Sequence, residues 1–141
     1  MTSADEIADG VVELYNDIAS KVIEFEAVNP DDVPEFDLGS GEDAAVQVYG
    51  FAEDETPETL GDDMLRATRV VRTLVMVRKV DGVTKKTFLE FVNQLKDSFR
   101  NVEIEGFDWE GNEQETIYDF DVLKTKGCFL TGFNSTFQMF G

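Results

Sequence analysis

The chain of 141 residues contains no histidine and a single cysteine, Cys128. Without histidine it lacks the commonest general base, triad member and transition-metal ligand. A single cysteine excludes an internal disulfide, which fits synthesis in a reduced, intracellular compartment. Because Cys128 lies in an apolar stretch and has no histidine partner, we expect a buried structural thiol rather than a nucleophile.

Long hydrophobic runs are also missing. No run of about eighteen apolar residues occurs, so no membrane span is expected. The first ten residues, MTSADEIADG, are acidic and do not follow the pattern of a secretory signal. Neither G-x-x-x-x-G-K-[ST] nor G-x-G-x-x-G occurs, so no phosphate-binding loop or nucleotide cofactor is indicated. The length fits one domain over residues 1–141.

Basic residues are scarce and the charge is uneven. Lys and Arg number 12 against 30 Asp and Glu, for a net charge of −18. Residues 1–63 hold nineteen acids and one base, whereas residues 64–141 hold eleven of each. Such asymmetry indicates a polar interaction surface; a merely solvated surface is the alternative. A halophilic source is a third explanation, although it would spread acids over the whole chain.

The stretch Arg66–Val80, RATRVVRTLVMVRKV, predicts one strand that spans roughly 50 Å at about 3.3 Å per residue. Its centre, residues 74–77, is apolar on both faces and is expected to be buried. A strand this long predicts contact with a neighbouring chain. The candidate interface consists of the cations expected to be solvated at its two ends: Arg66, Arg69, Arg72, Arg78 and Lys79.

Two amphipathic helices are predicted. Ser3 and Glu6 form a capping-box signature, and apolar residues then recur at helical spacing over Ala4–Glu26. A second helix over Lys85–Arg100 has Thr84 as its N-cap. Asn101 is expected to end it in the left-handed conformation.

Strand patterns occupy most of the remaining chain. With the helices set apart from the strands, they predict an α+β fold with a mixed or antiparallel sheet and both helices packed on one face. The short strands are predicted over Ala44–Phe51, Val102–Trp109, Glu115–Leu123 and Cys128–Phe140, with a turn at Glu110–Glu113 and a kink at Gly132.

Acidic loops are predicted over residues 30–43 and 52–63, on either side of the Ala44–Phe51 strand. We expect their carboxylates to face a channel or a partner. These residues are Asp31, Asp32, Glu42, Asp43, Glu53, Asp54, Glu55, Asp62 and Asp63.

Paired carboxylates such as Asp119 with Asp121 meet the minimum for metal-dependent or glycosidic hydrolysis. A chain with 30 acids produces such pairs by chance. The segment Asp108–Glu113 places oxygen ligands around a glycine, yet it departs from the EF-hand pattern and is better explained as a hairpin turn. No catalytic, cofactor or metal site is therefore predicted, and an enzyme is not expected.

The order helix, strand, long strand RTLVMVRKV, helix TFLEFVNQLKDSF and closing strands resembles the tail terminator and neck proteins of long-tailed phages and tailed viruses. The resemblance implies an α+β subunit of a six-membered ring, made in the host cytoplasm and located in the virion. Such a ring caps the tail tube and docks on the head connector, and DNA passes through it without specific binding. On this reading the acidic loops line the channel, where like charge prevents DNA from adhering.

Other interpretations stay open from the residues alone. One is a small acidic binding module or inhibitor that engages a basic protein; another is a metal-dependent hydrolase that uses paired acids. The cations of residues 66–86 suit nucleic-acid phosphates, but the overall charge repels them. They also suit the acidic half of another copy, in the head-to-tail arrangement that closes rings. Pairing within one chain is the alternative.

Overall fold

The computed structural model describes residues 2–30, 44–57, 65–78, 82–116 and 127–140. It confirms the α+β class, with a six-stranded mixed sheet among these residues. The elements in chain order are α1 (Ala4–Asn16), β1 (Ala27–Val28), β2 (Ala44–Pro57), β3 (Leu65–Arg78), α2 (Lys85–Asp97), β4 (Glu103–Ile104), β5 (Phe107–Thr116) and β6 (Cys128–Phe140).

The sheet has the strand order β1-β2-β3-β6-β5-β4, and its one parallel pair is β1 with β2. The long strand β3 lies inside the sheet between two strands of similar length. It pairs with β2 from Leu65 to Val77 and with β6 from Arg66 to Arg78. Both edges of β3 are thus hydrogen-bonded within the chain. A neighbouring subunit can therefore meet this strand through its side chains but not through its backbone.

Both helices pack on one face of the sheet, as predicted. Helix α1 contributes Ile7, Val11 and Tyr15 to the core, and α2 contributes Phe88, Phe91, Val92 and Leu95. The two helices and the sheet meet at Phe99. Its ring centroid lies 5.7 Å from Tyr15, 6.0 Å from Trp109 and 5.9 Å from Phe137.

Helix α1 begins where the capping box predicts. The Ser3 hydroxyl accepts a hydrogen bond from the Glu6 amide at 3.1 Å, and the Glu6 carboxylate accepts one from the Ser3 amide at 3.3 Å. The predicted end at Glu26 is wrong, because α1 ends at Asn16. The side chain of Asn16 instead makes two hydrogen bonds to the backbone of Ala27. Its oxygen accepts from the Ala27 N–H at 2.8 Å, and its nitrogen donates to the Ala27 carbonyl oxygen at 3.0 Å. The chain between these two residues turns back, so its apolar side chains pack against the core. The ring centroid of Phe25 lies 5.1 Å from that of Phe91.

Helix α2 follows the prediction closely. The Thr84 hydroxyl caps it by accepting a hydrogen bond from the Thr87 amide at 3.3 Å. The helix ends at Asp97, and a turn continues to Asn101. Asn101 has a φ of 58°, which confirms the left-handed stop.

The turn predicted at Glu110–Glu113 is wrong, because these residues lie inside β5, where the register shifts between Trp109 and Gly111. The chain reverses earlier, at Glu105 and Gly106, whose φ values are 52° and 82°. This two-residue turn splits the strand predicted over Val102–Trp109 into β4 and β5. Positive φ at both turn positions matches the right-handed twist of the paired strands.

The kink predicted at Gly132 is also wrong. Strand β6 pairs with β3 without interruption through Leu74 and Gly132, and the nearby shift in register lies on β5. The acidic loop predicted over residues 52–63 is wrong for residues 52–57, which continue β2 after a register shift at Gly50. Three predicted segments lie outside the described residues: the rest of that loop, residues 31–43 of the other loop, and residues 117–123 of a predicted strand.

Candidate subunit interface

The cations of β3 divide between the two faces of the sheet. Side chains alternate along a strand, so Arg69 points to the helices with Ala67 and Val71, whereas Arg66, Arg72 and Arg78 point to the opposite face. We refer to that opposite face as the outer face. Lys79 lies outside the described residues. The sequence prediction treated the five cations as one group, although their odd and even numbering already signalled the division.

Arg69 is buried within its own chain, with 2% of its surface exposed. Its guanidinium forms an ion pair with Glu55 at 2.8 Å and donates to the carbonyl oxygens of Thr2 at 2.8 Å and Thr68 at 3.0 Å. The expectation of a solvated cation is therefore wrong for Arg69. The side chain ties the start of the chain to strands β2 and β3.

Arg72 lies half-buried on the outer face in a row with Tyr49 of β2 and Asn134 of β6, its Cα partners on either side. Its Nε donates to the Asn134 side-chain oxygen at 3.0 Å, and its guanidinium carbon lies 3.8 Å from the centroid of the Phe51 ring. That ring is 48% exposed. No carboxylate of the described residues forms an ion pair with Arg72. The cation is thus held in place without a described acid beside it.

Arg66 and Arg78 lie six residues away on either side of Arg72 and are half-buried on the same face. Both already interact within the chain. Arg72 is consequently the cation of the candidate interface whose contacts are best defined. The interface itself stays a prediction.

Two described acids of the second predicted loop, Glu53 and Glu55, make contacts within the fold. Glu53 accepts a hydrogen bond from the Ala4 amide at 2.5 Å, at the N-terminus of α1, where a negative charge is stabilising. Glu55 pairs with Arg69, and Asp54 lies opposite Thr68 on β3. The other acids expected to face a channel or partner lie outside the described residues: Asp31, Asp32, Glu42, Asp43, Asp62 and Asp63.

A further acidic feature was missed by the sequence prediction. The β4–β5 hairpin, residues 103–110, exposes the carboxylates of Glu103, Glu105, Asp108 and Glu110. Glu103 and Asp108 are direct partners across the strand pair, and like charges in such positions repel each other. The dipeptide Glu105-Gly106 between apolar Ile104 and Phe107 was the signal for this turn. We refer to residues 103–110 as the acidic hairpin.

An open cavity of about 570 Å³ lies beside the acidic hairpin. Its lining includes both members of the like-charged pair, the Trp109 ring and the turn that follows α2. Arg100 at its rim is 77% exposed and makes a loose ion pair with Asp97 at 3.7 Å. The carboxylates of Glu103 and Asp108 in the hairpin therefore line this cavity.

The core contains polar groups that are paired. The Tyr15 hydroxyl lies 2.8 Å from the Thr73 hydroxyl; burial raises the pKa of Tyr15 well above its usual range, and this hydrogen bond opposes the rise. Lys96 donates to Gln114 and lies 5.6 Å from the Phe133 ring centroid, and burial lowers the pKa of its amine. These contacts join the helices to the sheet, so we assign them a structural role.

Cys128 is buried, with 4% of its surface exposed, as expected for a structural thiol. Within the described parts of the chain, no three acidic or cysteine side chains are grouped closely enough to bind a metal ion. No helix there combines the length and the apolar character needed to cross a bilayer.

No protein-family model matches this sequence, and no curated protein shows significant similarity to it. The fold class is therefore established from the structure alone, and function has to be argued from the surfaces described above.

Proposed function

We propose that this protein is a ring-forming structural subunit of a virion, a tail terminator or neck protein that caps the tail tube and joins it to the head connector. The proposal is supported chiefly by the outer-face site at Arg72. A fixed cation stacked on an exposed aromatic ring is a typical centre of a protein–protein contact, since arginine and aromatic residues dominate binding energy at interfaces.

The charge of the chain supports self-association of a particular kind. A protein with a net charge of −18 has many more carboxylates than cations, so carboxylates of one copy are available to bind the cations of a neighbouring copy. Contact between two different surfaces of the same chain is heterologous, and it closes into a ring when the rotation between neighbours closes. The same net charge suits a channel through which DNA slides without adhering.

Native mass spectrometry of the purified protein tests the proposal directly. We expect rings, with six-fold stoichiometry the specific expectation, and electron micrographs in which these rings cap the ends of tail tubes. Because the contacts are electrostatic, rings should dissociate as ionic strength rises and the Debye length falls from about 10 Å at 0.1 M to about 3 Å at 1 M. A protein that stays monomeric at high concentration in every ionic strength, with and without tail tubes, refutes the proposal.

A second candidate function is a small acidic binding module or inhibitor that engages a basic protein. The acidic hairpin favours it, since four exposed carboxylates lie within eight residues. A stable monomer that binds a basic protein with a strong dependence on salt would support this function instead.

A further inference from the structure

The outer-face site consists of Arg72, Phe51 and Asn134. Stacking on Phe51 and the hydrogen bond from Nε to Asn134 fix the plane of the guanidinium, while neither terminal nitrogen donates to a described residue. Two terminal N–H groups of a fixed guanidinium match a pair of carboxylate oxygens. The site is therefore built to accept carboxylates, and its aromatic ring adds apolar contact area.

The acidic hairpin has the complementary properties. Glu103 and Asp108 face each other across the strand pair, where like charges repel, so a cation placed between them is favoured. The hairpin also packs closely against α1. A Cβ atom added at Gly10 of α1 would lie 2.5 Å from Ile104, so β4 is packed tightly against the helix.

These two surfaces do not meet within one subunit. Asp108 lies opposite Gln138 of β6, four residues from Asn134, and β5 is two strands away from β3. At about 4.8 Å between strands and 3.3 Å per residue, the Cα atoms of Arg72 and Asp108 lie about 16 Å apart. A single arginine side chain does not cover that distance, so the pair forms only between copies.

We propose that the acidic hairpin of one copy docks on the outer-face site of the next, with the Arg72 guanidinium bound between the carboxylates of Glu103 and Asp108. The contact rests on the proposed function: repeated in one direction around a ring, it joins neighbouring subunits head to tail. The partner of the outer face is a second copy of this chain, selected by charge complementarity and by the aromatic contact with Phe51.

Charge exchange tests the contact. Arg72→Glu and Asp108→Arg are each expected to raise the dissociation constant between subunits by at least about tenfold, the lower range for close ion pairs at interfaces. The double variant Arg72→Glu/Asp108→Arg restores an attraction between positions 72 and 108 but leaves Glu103 beside the new negative charge, so assembly should recover in part. Subunit association is measured by analytical ultracentrifugation, and circular dichroism checks that each variant folds; Arg72→Gln is the milder alternative if Arg72→Glu does not.

Matched controls are available on α2. Lys86→Glu and Glu90→Arg make the same changes in charge at exposed positions of the helix. They should leave the dissociation constant within about twofold, since neither residue belongs to the proposed contact. If the control variants change the dissociation constant as much as the Arg72 and Asp108 variants do, the effect comes from overall charge alone. That result would overturn the inference.

Cross-linking gives an independent measurement. A mixture of Ala52→Cys and Glu105→Cys proteins should form a mixed disulfide-linked dimer, because Ala52 adjoins Phe51 and Glu105 forms the tip of the hairpin. The native Cys128 is buried and does not compete. The control mixture of Val22→Cys with Glu105→Cys, in which Val22 is 42% exposed, should form little of it. Equal yields from the two mixtures would count against the contact.

Failure of this inference differs from failure of the proposed function. Rings that persist unchanged in Arg72→Glu overturn the Arg72 contact and leave a ring-forming subunit in place. Loss of thermal stability without any change in assembly assigns Arg72 to an acid of its own chain, which also overturns the contact. A wild-type protein that never associates refutes both the contact and the proposed function.

Discussion

Replacing Arg69 with methionine tests whether a buried cation fastens the start of the chain to the sheet. Methionine keeps much of the length of the side chain and removes the charge. The substitution deletes the ion pair with Glu55 and the hydrogen bonds to the carbonyl oxygens of Thr2, Thr68 and, at 3.4 Å, Asp54. It also removes the cation that lies 5.3 Å from the Phe107 ring centroid.

The expected loss follows from these contacts. Hydrogen bonds that involve a charged group contribute about 1.5–3 kcal/mol each. The variant no longer bears the cost of burying a guanidinium, which offsets several kcal/mol of that total. We therefore expect Arg69→Met to lower the free energy of unfolding by about 2–4 kcal/mol. Glu55→Gln should cost less, about 1 kcal/mol, because the Glu55 side chain is 46% exposed and its contribution is screened by solvent.

Urea denaturation followed by circular dichroism measures both changes, and the double variant gives the coupling between the two residues. The loss in Arg69→Met should hardly change with salt, since a buried charge is poorly screened. Arg72→Met, the matched change on the outer face, should alter the stability of the subunit by less than about 1 kcal/mol. If Arg69→Met is as stable as the wild type or more so, packing at this position outweighs the charge and the reasoning fails.

Other predictions concern the core and the glycines. Tyr15→Phe should cost about 1–2 kcal/mol at neutral pH, through the lost hydrogen bond. Because burial raises the pKa of Tyr15 in the folded state, the wild type loses stability as pH rises above about 10, by about 1.4 kcal/mol per pH unit, and the variant lacks this loss. Gly50→Ala should destabilise by about 1–3 kcal/mol, since its Cβ would lie 2.6 Å from the backbone of α1, whereas Gly111→Ala meets nothing and should be nearly neutral. Phe99→Ala should cost about 3–5 kcal/mol, and Phe51→Ala, at an exposed ring, less than about 1 kcal/mol.

Each of these variants is measured by urea denaturation against the wild type, with Tyr15→Phe repeated between pH 7 and 11. Parallel pH curves for Tyr15→Phe and the wild type would show that the phenol does not drive the alkaline loss. Equal stability of the two alanine variants at Gly50 and Gly111 would contradict the close contact between α1 and β2. A small effect at Phe99 would contradict its position at the centre of the core.

Local sequence patterns predict the features that depend on residues close together in the chain. The capping box at Ser3 and Glu6 set the start of α1, Thr84 set the start of α2, and Asn101 ended the turn that follows α2. Strand β6 was predicted with its observed bounds, because alternation over thirteen residues leaves little ambiguity. Hydrogen bonds and steric preferences within about four residues explain these successes.

Features that depend on residues far apart in the chain follow from the tertiary contacts. Helix α1 ends at Asn16 because the Asn16 side chain binds the backbone of Ala27, eleven residues along the chain, and no local pattern encodes that contact. Arg69 is buried because its register places it beside Glu55 and Thr2, whereas Arg72, three residues later, points to the opposite face beside Phe51. Side chains alternate at every residue of a strand, so the pairing register sets which charge is buried and which is left to meet a partner.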